Sequence, residues 1–302
     1  MKNNKGFISV TVIYAFFLVF LTLMLYIVTN MTVNRNLLNN MKKTIKNELN
    51  DSNFSRYLIN HYEEDNIKLI KLNSTNYTYG IDDNSYRFTG ANPNNYVKFK
   101  DSDELYRIIG IFNEKVKLVK ATSWKTLSFN TTMDNNYIAS NIFNNLNIET
   151  DSYLISLGNN IKYIDNENWY VGGIDEKYLS QTGKNIATME VGDSKNNGVV
   201  INAKIGIIYL SDYIYAGDSS NKTNYGKSIT KTNNWLFLNN SWFITRNTIA
   251  SDIRVYSLNS AGAIISSSPT EVKNVRPAFY LKNNVRLVSG TGKSTDPYVI
   301  GD

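Results

Sequence analysis

The chain has 302 residues, 32 Lys+Arg against 26 Asp+Glu for a formal charge of +6, no cysteine and a single histidine. Without cysteine there is no disulfide, thiolate metal site, iron–sulfur cluster or catalytic thiol, and His61 alone cannot build a multi-histidine metal site. The basic excess is mild and scattered, with no dense run on which a nucleic acid could release its counterions, so no nucleic-acid partner is expected.

Residues 1–6 form a short basic leader. From Phe7 to Val28 the chain reads FISVTVIYAFFLVFLTLMLYIV, and no charge falls between Lys5 and Arg35. About 22 helical residues span about 33 Å, enough for a hydrocarbon core of about 30 Å. A cleaved signal peptide would have a shorter apolar run ending at small residues. This one ends at Thr29-Asn30-Met31, so residues 7–28 are expected to be a retained transmembrane helix, with the lipid bilayer as first partner. Orientation does not follow from charge: Lys2, Lys5 and the amine precede the span, while Arg35, Lys42, Lys43 and Lys46 follow it. Lys5-Gly6-Phe7 ahead of an uncharged apolar helix resembles the N-terminus of type IV pilin-like proteins. That resemblance implies processing by a prepilin peptidase between Gly6 and Phe7, and a remainder facing outward. The family carries Glu five residues into the mature chain, where this sequence has Thr11.

Leu37, Leu38, Met41, Ile45 and Leu49 recur at three- and four-residue spacing, which predicts a helical stalk over residues 29–65. A shorter helical piece, Phe54 to Tyr62, follows a break at Asp51-Ser52-Asn53, with His61 on a polar stretch and read as a surface residue. Beyond it, residues 66–302 read as short strands and loops: Ile67–Leu72, Tyr96–Phe99, Tyr106–Phe112 and, after a polar hairpin loop, Val116–Lys120. A helix is expected over Ile138–Leu146. Further strands are expected at Ile205–Leu210, Trp242–Thr245, Asp252–Leu258 and Val275–Leu281, with long loops over residues 159–202. A helix or two beside irregular strands is an α+β pattern. Abundant Asn and 21 Tyr fit A/T-rich codon usage, and also a surface of adaptable hydrogen bonds and rigid rings.

Gly110 and Gly206 inside strands point to close backbone approach, and Pro277 to an edge or bulge. Arg276, in an apolar run, must be hydrogen-bonded or paired if buried, and is expected to anchor a loop carbonyl or carboxylate. Catalytic signatures are thin, and no enzyme activity is expected. Ser228-Ile-Thr-Lys231 matches Ser-x-x-Lys but lacks its partner motifs. Asp82-Asp83 and Asp175-Glu176 are adjacent carboxylates of the kind that solvate loops, and Asp101-Ser-Asp103-Glu104 reads as a turn rather than a calcium loop. No cofactor and no metal are expected.

The segments Phe88–Tyr96, Leu105–Ile111, Val116–Val119, Ile205–Tyr213, Asn234-Trp-Leu236, Trp242–Thr245, Val275–Leu281 and Gly290–Tyr298 resemble, in order, a group of uncharacterised Firmicutes surface proteins. Their domain is similar to the bacterial C-type-lectin-like fold, shared distantly with formylglycine-generating enzymes. Relatives often carry a cysteine pair near the loop before Asn234; this chain has none, so packing alone is expected to hold that loop. The resemblance implies a C-type-lectin-like mixed domain of short strands, one or two helices and long loops, on the outer face of the cell membrane. It implies a single-pass adhesion protein whose unknown extracellular ligand is a glycan, a protein or the cell wall. By that analogy the ligand face lies near Trp242–Asn259, where Arg246, Asn247, Thr248 and Tyr256 are expected to point outward. The alternative is a minor pilin-like or pseudopilus subunit of a secretion, adhesion or DNA-uptake system, with pilus-like assembly partners.

Overall fold

The computed structural model describes residues 5–50, 53–61, 69–71, 85–175, 186–187, 189–190, 199–217, 233–248 and 252–302. It contains two units, residues 1–52 and 53–302.

The first unit is one helix, α1 (Lys5–Asn50), of 46 residues. Its stretch Val12–Asn39 is long and apolar enough to cross a membrane, and none of it is buried within the chain. Val, Ile and Thr disfavour helices in water, but in lipid a helix satisfies every backbone group internally. The hydroxyls follow the same rule. Thr22 donates to Val19 O, Thr29 to Leu25 O and Thr32 to Val28 O, each at 2.8 Å. Gly6 and Phe7 lie in the first turns of this helix.

The second unit is α+β. It begins with α2 (Phe54–Asn60), capped by the Asn53 side chain accepting from Arg56 N–H. Sequence periodicity places this helix in the stalk, but Phe54 and Leu58 are buried in the head. Phe54 N–H donates to Val285 O at 2.7 Å, and its ring meets Tyr298 edge-on at 5.5 Å. His61 stacks on Tyr57, its Nδ1 2.7 Å from Tyr57 O, and is half-buried.

The main sheet is built from β1 (Leu69–Lys71), β2 (Tyr86–Phe88), β3 (Tyr96–Phe99), β4 (Tyr106–Phe112), β5 (Lys115–Lys120), β10 (Ile205–Ile207), β15 (Pro277–Tyr280), β16 (Arg286–Ser289) and β17 (Tyr298–Gly301). Its order is β10-β15-β5-β4-β3-β17-β16, with β2 sharing the β3 side of β4, and β1 paired to β2. Among the described pairs of this sheet, β17 and β3 run parallel and the others antiparallel. Asn113 and Glu114 close the β4–β5 hairpin with φ of 48° and 64°, the left-handed pair that a two-residue turn demands. Both strand glycines are close approaches, as expected. A Cβ on Gly110 would lie 2.2 Å from Tyr86 O, and one on Gly206 2.6 Å from the Trp169 ring. Phe99, Tyr106 and Phe279 interlock within the core, with ring centroids 5.2–6.2 Å apart.

A second sheet has the order β13-β12-β11-β8, from β8 (Gly173–Ile174), β11 (Trp242–Asn247), β12 (Val255–Leu258) and β13 (Ile264–Ser267). Two ribbons complete the head: β6 (Lys125–Ser128) with β14 (Val272–Val275), and β7 (Glu167–Val171) with β9 (Val199–Ala203). The last pair falls in the stretch read as surface loops. The expected single strand Val275–Leu281 is two. β14 ends at Val275, and Pro277 starts β15 in the main sheet, so the chain changes sheets at Arg276. The expected helix over 138–146 begins at Asn141, because Ser140 caps it by accepting from Phe143 N–H; it is α3 (Asn141–Asn147). Further helical pieces are α4 (Tyr153–Ser156), a 3₁₀ turn (Gly158–Tyr163) and α5 (Leu210–Ala216), and residues 186–187 and 189–190 are helical as well.

Candidate functional site

At one end of the main sheet, the start of β3, the start of β4, the end of β5 and the crossover before β15 lie side by side. A cleft of about 440 Å³ opens there, lined by Tyr96, Asp103, Glu104, Arg107, Lys120, Thr122, Trp235, Phe237 and Arg276. That volume falls in the roughly 300–1,000 Å³ range of ligand sites. Strand register supplies its floor. Tyr96 and Arg107 are cross-strand partners, and Arg107 faces Val119 on the other side. The Arg107 guanidinium therefore lies between two rings, 4.1 Å from the Tyr96 centroid and 4.7 Å from Trp235.

Both arginines are interior residues, Arg107 7% and Arg276 3% exposed. Their protein partners are all neutral. Arg107 Nε donates to Asn95 Oδ1 at 2.7 Å and its Nη2 to Pro93 O at 3.4 Å. Arg276 Nε donates to Lys120 O at 3.0 Å and its Nη1 to Leu236 O at 2.8 Å. Arg276 thus anchors loop carbonyls, as its place in an apolar run predicts. Neither guanidinium has an ion-pair partner among the described residues. Arg107 Nη1 and Arg276 Nη2 have no protein acceptor among the described residues, and both side chains line the cleft. Burial pulls the Arg276 guanidinium down to about 9, and repulsion from Arg107 adds to the effect. Burial pulls Arg107 down to about 10, partly offset by Tyr96. Both remain cationic at neutral pH.

The neighbouring carboxylates are already engaged. Glu104 pairs with Lys120 and accepts from Tyr106 Oη at 2.5 Å, while Asp103 pairs with Lys98 at 3.1 Å. These partners account for two of the three carboxylates in the Asp101–Glu104 run. The cleft is consequently a set of forked N–H donors with uncompensated positive charge, the arrangement that binds planar oxyanions.

A second charged group is structural. Lys117, 1% exposed, places Nζ 2.5 Å from Asp212 Oδ2, and Arg87 Nη1 lies 3.3 Å from Asp212 Oδ1. Asp212 Oδ2 also accepts from Tyr209 N–H at 2.9 Å, closing a capping box on α5. Glu190, fully buried, accepts from Leu210 and Ser211 N–H and from the Thr245 hydroxyl. Above this knot a second cleft of about 370 Å³ is lined by Phe112, Tyr170, Tyr209 and Tyr280; its cation, Lys115, is held by Asp165 at 2.8 Å and Glu167 at 2.6 Å.

Of the four residues expected on a ligand face, only Thr248 is exposed. Tyr256 is fully buried, its hydroxyl donating to Ile174 O at 3.0 Å, and Asn247 is 2% exposed; neither reaches the surface, because successive residues of β12 and β11 are buried and both faces of these strands are covered. Arg246 is half-buried, with Nε sealed and without an acceptor among the described residues. The loop expected to be held by packing, before Asn234, lies outside the described residues; after it, Asn234 Nδ2 donates to Tyr213 O at 2.7 Å and Trp235 Nε1 to Phe88 O at 2.8 Å. Ser228–Lys231, Asp82-Asp83 and Glu176 lie outside the described residues. Sequence reasoning found Arg276 but not Arg107 as its companion. The one available signal was an arginine alternating with apolar residues in Tyr106-Arg-Ile-Ile.

No family model, no curated protein and no solved structure matches this chain.

Proposed function

We propose that this chain is a membrane-anchored surface protein, with α1 as a single span and the head outside the cell as a ligand-recognition, or adhesion, domain of lectin-like kind. The observation that carries the reading is the Arg107–Arg276 cleft. Two interior cations that line a cleft and have no counter-charge among the described residues cost the fold free energy, which a bound anion would return. Span length, the absence of charge from residue 6 to 34 and the unburied apolar stretch support the anchor. In place of the expected Trp242–Asn259 face, we assign recognition to the cleft, because Tyr256 and Asn247 are inside.

Protease added to intact cells is expected to remove the head, and N-terminal sequencing of the membrane-bound chain to begin before residue 28. A head that resists protease until cells are broken refutes the outward orientation. A start well past residue 28 refutes the anchor. A start at Phe7 together with recovery in a fibre would replace adhesion by the minor pilin-like role.

A further inference from the structure

We propose that the Arg107–Arg276 cleft is the seat of a sugar carboxylate, a uronate- or sialate-type acid, either free or carried on an acidic glycan. This rests on the reading of the head as a recognition domain and names its ligand class.

Charge selects an anion. Glu104 is held by Lys120 and Asp103 by Lys98, so the charges of Arg107 and Arg276 are left without a counter-ion among the described residues. Geometry selects an oxyanion: the nitrogens left without a protein acceptor among the described residues belong to two guanidiniums, whose forked N–H groups match carboxylate and phosphate oxygens alike. The carboxylates argue against an amino acid. An ammonium needs a free anionic partner, but Glu104 already holds Lys120 and Tyr106, and Asp103 holds Lys98. Their remaining lone pairs can still accept neutral hydroxyl hydrogens. The apolar wall completes the fit. The half-buried rings of Tyr96 and Phe237 line the cleft and offer apolar surface to a C–H skeleton, which a bare inorganic anion cannot use. A hydroxylated ring with one carboxylate meets all four conditions.

The test uses the full-length protein in detergent micelles, titrated calorimetrically with glucuronate, N-acetylneuraminate, glucose, inorganic phosphate, glutamate and an oligogalacturonide. At least one sugar acid is expected to bind at least tenfold more tightly than glucose, phosphate or glutamate. Tighter binding of the oligomer than of the single acids assigns a glycan; equal or weaker binding assigns the free acid. Arg107→Lys is expected to lower affinity at least tenfold, since a single ammonium cannot reproduce the fork. Thr122 is exposed and lines the opening, so Thr122→Trp should block the cleft with unchanged thermal unfolding and the same tenfold loss. Equal binding of glucose and glucuronate, tighter binding of phosphate or glutamate, binding that survives Thr122→Trp, or no heat from any sugar acid would each overturn the proposal. Because titration is done on purified protein, sugar-acid binding by a head that proves protease-resistant on cells would reject only the surface location. A protease-accessible head without sugar-acid binding would reject only the ligand class.

Discussion

Asp212 serves two interior cations at once, so the two halves of its ion pairs should be unequal on mutation. Asp212→Asn leaves Lys117 (1% exposed) and Arg87 (5% exposed) without their carboxylate. Breaking a buried pair by removing one partner costs about 3–5 kcal/mol, a large part of a total stability of about 5–15 kcal/mol. Lys117→Met removes one cation but leaves Asp212 bonded to Arg87 at 3.3 Å and to Tyr209 N–H at 2.9 Å. The thioether chain keeps the stem packed among Phe112, Trp169, Tyr209 and Tyr280, so its cost should stay below about 2 kcal/mol. The double variant should be less destabilised than the sum of the two by about 1 kcal/mol or more. pH supplies an independent check. In the wild type, burial pushes the Lys117 ammonium down; Asp212 and Glu190 pull it up, while Arg87 opposes them. Without Asp212 it falls further. A depressed lysine binds fewer protons folded than unfolded, so the stability of Asp212→Asn should rise with pH more steeply than that of the wild type. All four tryptophans (Trp124, Trp169, Trp235 and Trp242) lie in the head, so urea unfolding of the full chain in detergent, followed by indole fluorescence, reads this unit alone. If Lys117→Met costs as much as Asp212→Asn, the idea of one carboxylate holding two cations is wrong.

Glu114 sits at φ 64° in the hairpin turn, a conformation in which glycine is unstrained, so Glu114→Gly should stabilise the head by about 0.5–1 kcal/mol in urea; a loss would show that the side chain contributes more than its backbone strain costs. Gly206→Ala puts a methyl 2.6 Å from the Trp169 ring and should destabilise by about 1–3 kcal/mol with a shifted indole emission maximum; a neutral result would mean that the β7–β9 ribbon moves away freely. Burial pushes the Glu190 carboxyl up to about 7, against hydrogen bonds from Ser211 and Thr245 that lower it. Between its ordinary 4.5 and about 7 the folded state binds more protons than the unfolded, so this group's contribution is greatest at low pH and falls by about 3 kcal/mol across that window. Glu190→Gln should flatten that part of the stability curve, and an unchanged slope refutes the assignment. Tyr256→Phe should cost about 1 kcal/mol through the lost bond to Ile174 O and leave ligand affinity unchanged, since its ring is interior; weakened binding at full stability would restore the second sheet as the ligand face.

How much was legible in sequence follows the range of the interactions involved. Tyr96–Phe99 and Tyr106–Phe112 were found with the right ends, because four to seven apolar or alternating residues between turn signals are a local pattern. β7, β9 and β13 were not found. Their residues alternate weakly, and they become strands because a distant partner offers a ladder. The expected strand Ile205–Leu210 takes in only the first residue of α5, and the helix itself is not legible because all seven of its residues are buried and no exposed face marks the helical period.

The same division holds for function. Twenty-odd uncharged apolar residues are sufficient by themselves to specify a span-length helix, since in lipid only internal hydrogen bonding can satisfy the backbone. The inward turn of Tyr256, the union of Arg107 with an arginine 169 positions later in the chain, and the filling of Glu104 and Asp103 by lysines were decided by strand pairing across the sheets. A charge reads in sequence as solvated or paired only on average. Whether a buried guanidinium meets an anion depends on side chains brought to it from elsewhere in the chain.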